Sequence, residues 1–431
     1  MNRRQLFTLV GAAGGSLIAR RLGAAPSPEY SHDYFMFIHA AGGWDVMLWA
    51  DPRNERKGLV EPPSLANTDI GGLERWKTVG DSFEPMISST SQRFGPAIGA
   101  LYDLRDRLTI INGIAMNTVS HDDGTAFSTT GRHRIGGSVP ESSVDVVIAN
   151  ELGRAQLMPD VAVKFPSSFV GTKLDRRSVP LRLDAVDAVA QSFSRSRSFL
   201  SGSDRAAVTA VLTAEAKDLV GVSRSPVFDQ LTSQHQDVAS LVRGDVAQAF
   251  TSRQLRQAYP EYNYRGRLVD APVAAAFAVE AIKRNAVRCV GFSLGGLDTH
   301  TANHRQHALI LQELFAVIAT TVKLLDKAPH PTLRSTKLSE RTHILVVSEF
   351  CRTPHINPAG GRDHYPNNSA LIISPRFRGG RTFGATDPEQ LLPVRDSLAP
   401  PDLLATYLHA FGIDPRRFMR DGRIVKELLA A

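Results

Sequence analysis

Cysteine is scarce in this chain: 431 residues hold only Cys289 and Cys351. Two thiols make at most one bridge and no disulfide framework, and neither a C-x-x-C pair nor a zinc-finger spacing occurs. Cys289 lies inside an apolar, strand-like run and reads as a small core residue. A basic tract interleaved with aromatics is also missing, which argues against a nucleic-acid partner. No repeat of fixed period stands out, so a solenoid or propeller is not expected. The apolar stretch nearest the N-terminus, Leu6 to Ala19, is glycine-rich, short and too weakly apolar to span a bilayer well.

What remains is an ordinary globular composition, 42% hydrophobic and 22% charged, long enough for one large or two ordinary domains. Residues 1–25 read as a leader. Arg3 and Arg4 precede the apolar stretch, and Gly23, Ala24 and Ala25 precede Pro26. Arg3-Arg4 followed by Gln5-Leu6-Phe7 resembles a twin-arginine signal, so the twin-arginine export machinery is the expected partner and the periplasm or exterior the expected location. Losing this segment removes four arginines and no acid from a formal charge of +7, leaving +3. The basic balance of the full chain therefore says little about the folded part.

Six apolar, β-rich runs recur: 34–40, 108–114, 160–165, 287–292, 343–348 and 370–373. Most are continuously apolar, as expected of strands buried on both faces by helices. Helices are expected over 142–152, 206–219, 274–286, 304–325 and 401–411. In the fourth of these, Leu311, Phe315, Ile318, Val322 and Leu325 form one core-facing stripe. The expected fold is an α/β domain over 26–431, with a mostly parallel sheet flanked by helices. Residues of about 166–270, rich in Ser, Arg, Asp and helix formers, read as a helical insertion.

In open α/β sheets ligands bind at the carboxyl ends of strands, and three runs end there in metal-capable residues. The first leads to Asp45 and, further on, Asp51; the fourth to Asp298, His300, His304 and His307; the fifth to Glu349, with Asp363 and His364 beyond. Singly, an Asp after Gly-Gly can be a turn or cap residue, and His304 fits the apolar stripe as well as a ligand set. Together, Asp, Glu and His suit zinc or manganese, and calcium if carboxylates dominate. Arg352 and Arg362 flank this region, where guanidinium groups can grip phosphate or sulfate. After the second run, Ser120, Thr125 and Thr129 lie beside His121, Asp122 and Asp123, a neighbourhood for an activated hydroxyl nucleophile that ordinary capping explains nearly as well.

The twin-arginine leader, "GGWD" (42–45), "GGLDTH" (295–300), "SEFCRTP" (348–354), "GGRDHYPN" (360–367), "GATDP" (384–388) and "PPDLLATYLHAFGID" (400–414) resemble a large bacterial family of exported proteins of unknown function. That family is grouped with the alkaline phosphatase and sulfatase superfamily. The resemblance implies an alkaline-phosphatase-like core, with Asp45, Asp298, His300, Glu349 and His364 as metal ligands. It places Ser120 or Thr125 where a nucleophile is expected. Glu349-Phe350 stands where two-metal members have Asp-His, which implies one metal, or a weakened or inactive centre. "SVPLR" (178–182) matches the sulfatase nucleophile pattern only loosely, with Leu181 where a small residue belongs.

Two functions are therefore expected as alternatives. One is an exported metal-dependent hydrolase of phosphate or sulfate esters, with an anionic ester as substrate and Arg352 stabilising the oxyanion. The other is a non-catalytic exported binding or assembly protein that retains the fold.

Overall fold

In the computed structural model of the chain, residues 29–68, 72–171, 174–187, 250–259, 270–418 and 421–430 are described, with isolated positions at 207, 210, 211 and 214. The leader lies outside the described residues. So does most of the expected insertion, including nearly all of the helix expected over 206–219.

An eight-stranded sheet forms the centre. Its strands are β1 (Tyr34–Ala40), β2 (Leu108–Ala115), β3 (Met158–Val163), β4 (Leu181–Leu183), β5 (Val287–Leu294), β6 (Thr342–Val347), β7 (Asn367–Ile373) and β8 (Arg381–Phe383). The order across the sheet is β8-β2-β7-β6-β1-β5-β3-β4. Every neighbouring pair is parallel except the two that β7 makes with β6 and β2. The fold is thus α/β with a mostly parallel sheet. All six expected strands are present; the short edge strands β4 and β8 were not expected, and β4 lies within the span read as an insertion.

Helices cover both faces, which is why β1 and β6 are buried at every position. Alternate residues of β1 serve opposite cores. Met36 and Ile38 pack with α3 (Ala271–Lys283) and α4 (Asn303–Lys327). Phe35 and Phe37 pack with α1 (His121–Thr130), α2 (Val144–Leu152) and α5 (Pro400–Ala410). The apolar stripe of α4 is buried as expected, from Leu311 to Leu325.

Because β7 is antiparallel to both of its neighbours, β2 points the same way as β6, β1 and β5. The chain after β1, β2, β5 and β6 and the chain before β7 consequently meet at one edge. Most of the metal-capable residues singled out in the sequence lie there.

Candidate metal centre at the sheet edge

Close backbone approaches bring the segments together. Gly42, just past β1, has φ +118°, and a Cβ there would stand 2.4 Å from the Asp298 nitrogen. Gly361 presses against the same loop: its Cβ would lie 1.9 Å from the His300 carbonyl carbon. Only glycine lets either contact form.

Three imidazoles and one carboxylate converge. Asp298 Oδ1 is 3.0 Å from His300 Nε2 and 3.2 Å from His364 Nε2, and its Oδ2 is 3.4 Å from His121 Nε2. The Nε2 atoms of His300 and His364 are 3.0 Å apart. One ligand atom each from His121, Asp298 and His364 lie within 4.8 Å of one another, and His300 joins through Asp298 and His364.

The other nitrogen of each ring faces an oxygen that can only accept. His121 Nδ1 is 2.8 Å from Glu349 Oε1, His300 Nδ1 is 2.7 Å from Asp363 Oδ1, and His364 Nδ1 is 2.8 Å from the Val119 carbonyl. Each Nδ1 thus has an acceptor behind it, and in a neutral ring protonated at Nδ1 the Nε2 atom is a bare lone pair. Among the described residues, His121 Nε2 is buried without a hydrogen-bond partner. Three Nε2 atoms gathered at one carboxylate fit a bound cation, and an acceptor behind each Nδ1 is the usual support of metal-binding histidines.

Glu349 supports this group from below. It is 2% exposed, and its oxygens accept from Gly42 N (2.8 Å), His121 Nδ1 and Ser348 Oγ (3.0 Å), with His39 Nε2 at 3.3 Å. Burial opposes its ionisation, yet the hydrogen bonds from His121 and His39 hold the carboxyl well below its usual range. Its bond in turn raises the His121 pKa. Glu349, expected as a ligand, thus acts here as the acceptor that fixes the His121 tautomer. Phe350 is fully buried, with ring centroids 4.9 Å from His121 and 4.6 Å from His364, and walls both imidazoles.

The expected anion-gripping arginines are committed elsewhere. Arg352 is fully buried. Its guanidinium donates to the carbonyls of Gly42, Gly43 and Arg362 and, at 2.6 Å, to Asp298 Oδ1. It holds Asp298 in place from one side. Although partial burial opposes it, this pairing holds the Asp298 carboxyl down to about 2. Arg362, also fully buried, binds the carbonyls of Thr353 and Glu61, His304 Nε2 and Asp45.

Asp45 stands apart from the four converging side chains. Its carboxylate accepts from Met47 N and Asn303 Nδ2 and pairs with Arg362 at 3.2 Å, so the turn-and-cap reading describes it. His304 and His307 likewise work beneath the site. His307 Nε2 accepts from Asp45 N, which leaves its Nδ1 to donate to Thr299 Oγ1 at 2.8 Å. Thr299, flanked by Asp298 and His300, also bonds Asn303. The start of α4 thereby anchors the loop that carries Asp298 and His300. Burial, reinforced for His304 by the Arg362 charge, keeps both histidines well below their usual pKa.

Ser120 occupies the N-cap position of α1 beside His121, is exposed, and makes no side-chain cap bond. Thr125 lies more than a turn deeper in α1 and is half-buried. Ser178 of the loose nucleophile motif is buried in a short turn, its hydroxyl donating to the Asp175 carbonyl. Reading strand ends alone missed His121 as a ligand candidate, although its place after β2 was the same kind of junction that singled out Asp298.

A family model described as "Protein of unknown function (DUF1501)" matches residues 34–424. The chain belongs to the DUF1501 family. Among solved structures, this DUF1501 protein is similar to the PsFucS1 sulfatase from Pseudoalteromonas sp., at 11% identity and a TM-score of 0.33, over 96% of this chain and 72% of that one. It is also similar to Ps i-CgsB, alone (TM-score 0.38) and in complex with k-i-k-neocarrahexaose (0.36), each at 10% identity over 91% of this chain and 75% of that one. No curated protein sequence matches it.

Proposed function

We propose that this protein binds one divalent metal through His121, Asp298, His300 and His364 and uses it to hydrolyse phosphate or sulfate esters. The observation that carries the reading is the meeting of three Nε2 atoms at one carboxylate, each ring held from behind by an acceptor at Nδ1. Three nitrogen donors with one oxygen suit zinc, and manganese next, better than calcium. A cation there would polarise an ester oxygen and neutralise charge developing on it.

The chain's own contribution is positional. Arg352 aims Asp298, Glu349 aims His121, and Asp363 aims His300. We assign the attacking hydroxyl to Ser120, which is exposed at the N-cap position of α1, next to His121, and makes no side-chain cap bond. The twin-arginine leader makes export in the folded state, to the periplasm or beyond, part of the same proposal.

A second reading, a metal-binding protein without catalysis, draws on the commitment of both Arg352 and Arg362 to internal partners. Metal analysis of the purified mature protein, expressed with zinc or manganese supplied, tests the site. About one equivalent is expected in the native protein, and much less in His121→Ala and Asp298→Ala; far below one equivalent in the native protein would reject it. Aryl phosphates and aryl sulfates assayed with the metal-loaded protein separate the readings, since full occupancy without turnover leaves only the second.

A further inference from the structure

The segment from Thr353 to Asp363 joins two short antiparallel strands, Cys351–Arg352 and His364–Tyr365, and lies against the loop that carries Asp298 and His300. One side chain in it, Asn357, has its amide bonding filled on both sides. Asn357 Oδ1 accepts from Ala359 N at 3.0 Å and from Gly361 N at 2.9 Å, which folds the turn. Asn357 Nδ2 donates at 3.0 Å to the His300 carbonyl and at 3.0 Å to Asp363 Oδ1. That same Asp363 oxygen receives His300 Nδ1 at 2.7 Å.

Asn357 therefore holds His300 at both ends, the main chain directly and the ring through Asp363. We infer that Asn357 is a positioning residue of the metal centre, setting the direction in which His300 presents Nε2 to the cation. The two halves of the amide have separate tasks: the oxygen shapes the turn and the nitrogen aims the ligand. This inference rests on the metal-site reading above.

The separation of tasks supplies the test. Asn357→Asp keeps an oxygen for the turn but removes both Nδ2 donors and sets a carboxylate against Asp363 and the His300 carbonyl. Zinc affinity is measured by chelator competition on the purified mature protein, for the native chain, Asn357→Asp, Asn357→Ala, Asp363→Ala and the Asn357→Asp/Asp363→Ala double variant. Melting of the metal-free forms is recorded in parallel. Outer partners of metal-bound histidines are worth about 10–100-fold in affinity, so about tenfold weaker binding is expected in Asn357→Asp, with metal-free melting close to native. Because Asn357 acts largely through Asp363, its substitution is expected to cost less in the Asp363→Ala background. Native-like zinc affinity in Asn357→Asp would overturn the inference while leaving the metal site standing. Equal costs in the two backgrounds would overturn the route through Asp363, and an absence of zinc binding by the native chain would remove the site itself.

Discussion

Replacing Glu349 with glutamine separates two roles for this residue that look alike in sequence. The carboxylate is buried and takes Gly42 N and His121 Nδ1 on Oε1, and Ser348 Oγ and His39 on Oε2. Ser348 Oγ also lies 2.6 Å from the Ala40 carbonyl, so its single hydrogen can serve Ala40 instead. A glutamine can then place its NH2 toward Ser348 and its carbonyl toward Gly42 and His121, keeping both of those bonds. What it loses is charge. Hydrogen bonds to charged groups are worth about 1.5–3 kcal/mol and neutral ones about 0.5–1.5 kcal/mol, so two downgraded bonds amount to ~2 kcal/mol. Urea unfolding of the metal-stripped protein at pH 7 should register that loss. The folded pKa of Glu349 is depressed, so its contribution is full above the unfolded value of about 4.3 and fades as pH falls through the folded one; the deficit of Glu349→Gln should therefore shrink below about pH 4. On the proposed metal site, in which His121 and not Glu349 is the ligand, metal stoichiometry should survive. Stability within ~0.5 kcal/mol of native at pH 7, against the ~2 kcal/mol expected from the two bonds, would refute the account of Glu349 as a charged support. Complete loss of metal with unchanged stability would make it a ligand after all.

Asp45→Ala should leave metal stoichiometry unchanged but cost about 3–5 kcal/mol, because it strands the buried Arg362 charge; calorimetry and metal analysis of one preparation would read both. Asp160→Asn should stabilise the protein at pH 7. Asp160 is buried beside Asp145, and burial followed by the neighbouring Asp145 charge raises its pKa well above normal. An acid with a raised folded pKa loses stability as pH climbs from about 3.9, so the gain from asparagine should vanish at low pH; each pKa unit is worth about 1.4 kcal/mol. Lysines in place of Arg3 and Arg4 should abolish export, read as loss of periplasmic protein by fractionation; normal periplasmic levels would reject the twin-arginine reading.

The strands were legible because burial on both faces imposes composition. A run such as His343 to Val347 has no polar face, and it forms β6 over Thr342–Val347. The same logic located α4, whose apolar stripe is its packing surface. Strand direction left no such trace. Ala370 to Ile373 is as apolar as its parallel neighbours, yet β7 runs against both of them. That reversal brings His364 to the edge where the other strands end.

Within the site, residue type announced capacity and little else. Asp298, His300 and His364 converge as their positions after or before strands suggested. Asp45 and Glu349 have equal ligating chemistry, but the first is occupied by Arg362 and Asn303 and the second by His121 and Gly42. Arg352 and Arg362 looked like anion grips from their charge, and both spend their donors on backbone carbonyls.

By itself, then, the sequence determined the α/β architecture, the edge where ionisable side chains gather and a short set of candidate site residues. Those properties follow from local pattern: apolar runs, helical stripes, and glycines at strand ends. Only the tertiary structure decided which of those residues converge on Asp298 and which are bonded away from it, and it brought in His121 and Asn357. The reason is that a ligand is defined by a free lone pair facing the right neighbour, and here the deciding neighbours lie far away in the chain. His121 meets Glu349 across 228 positions, and His364 meets Val119 across 245.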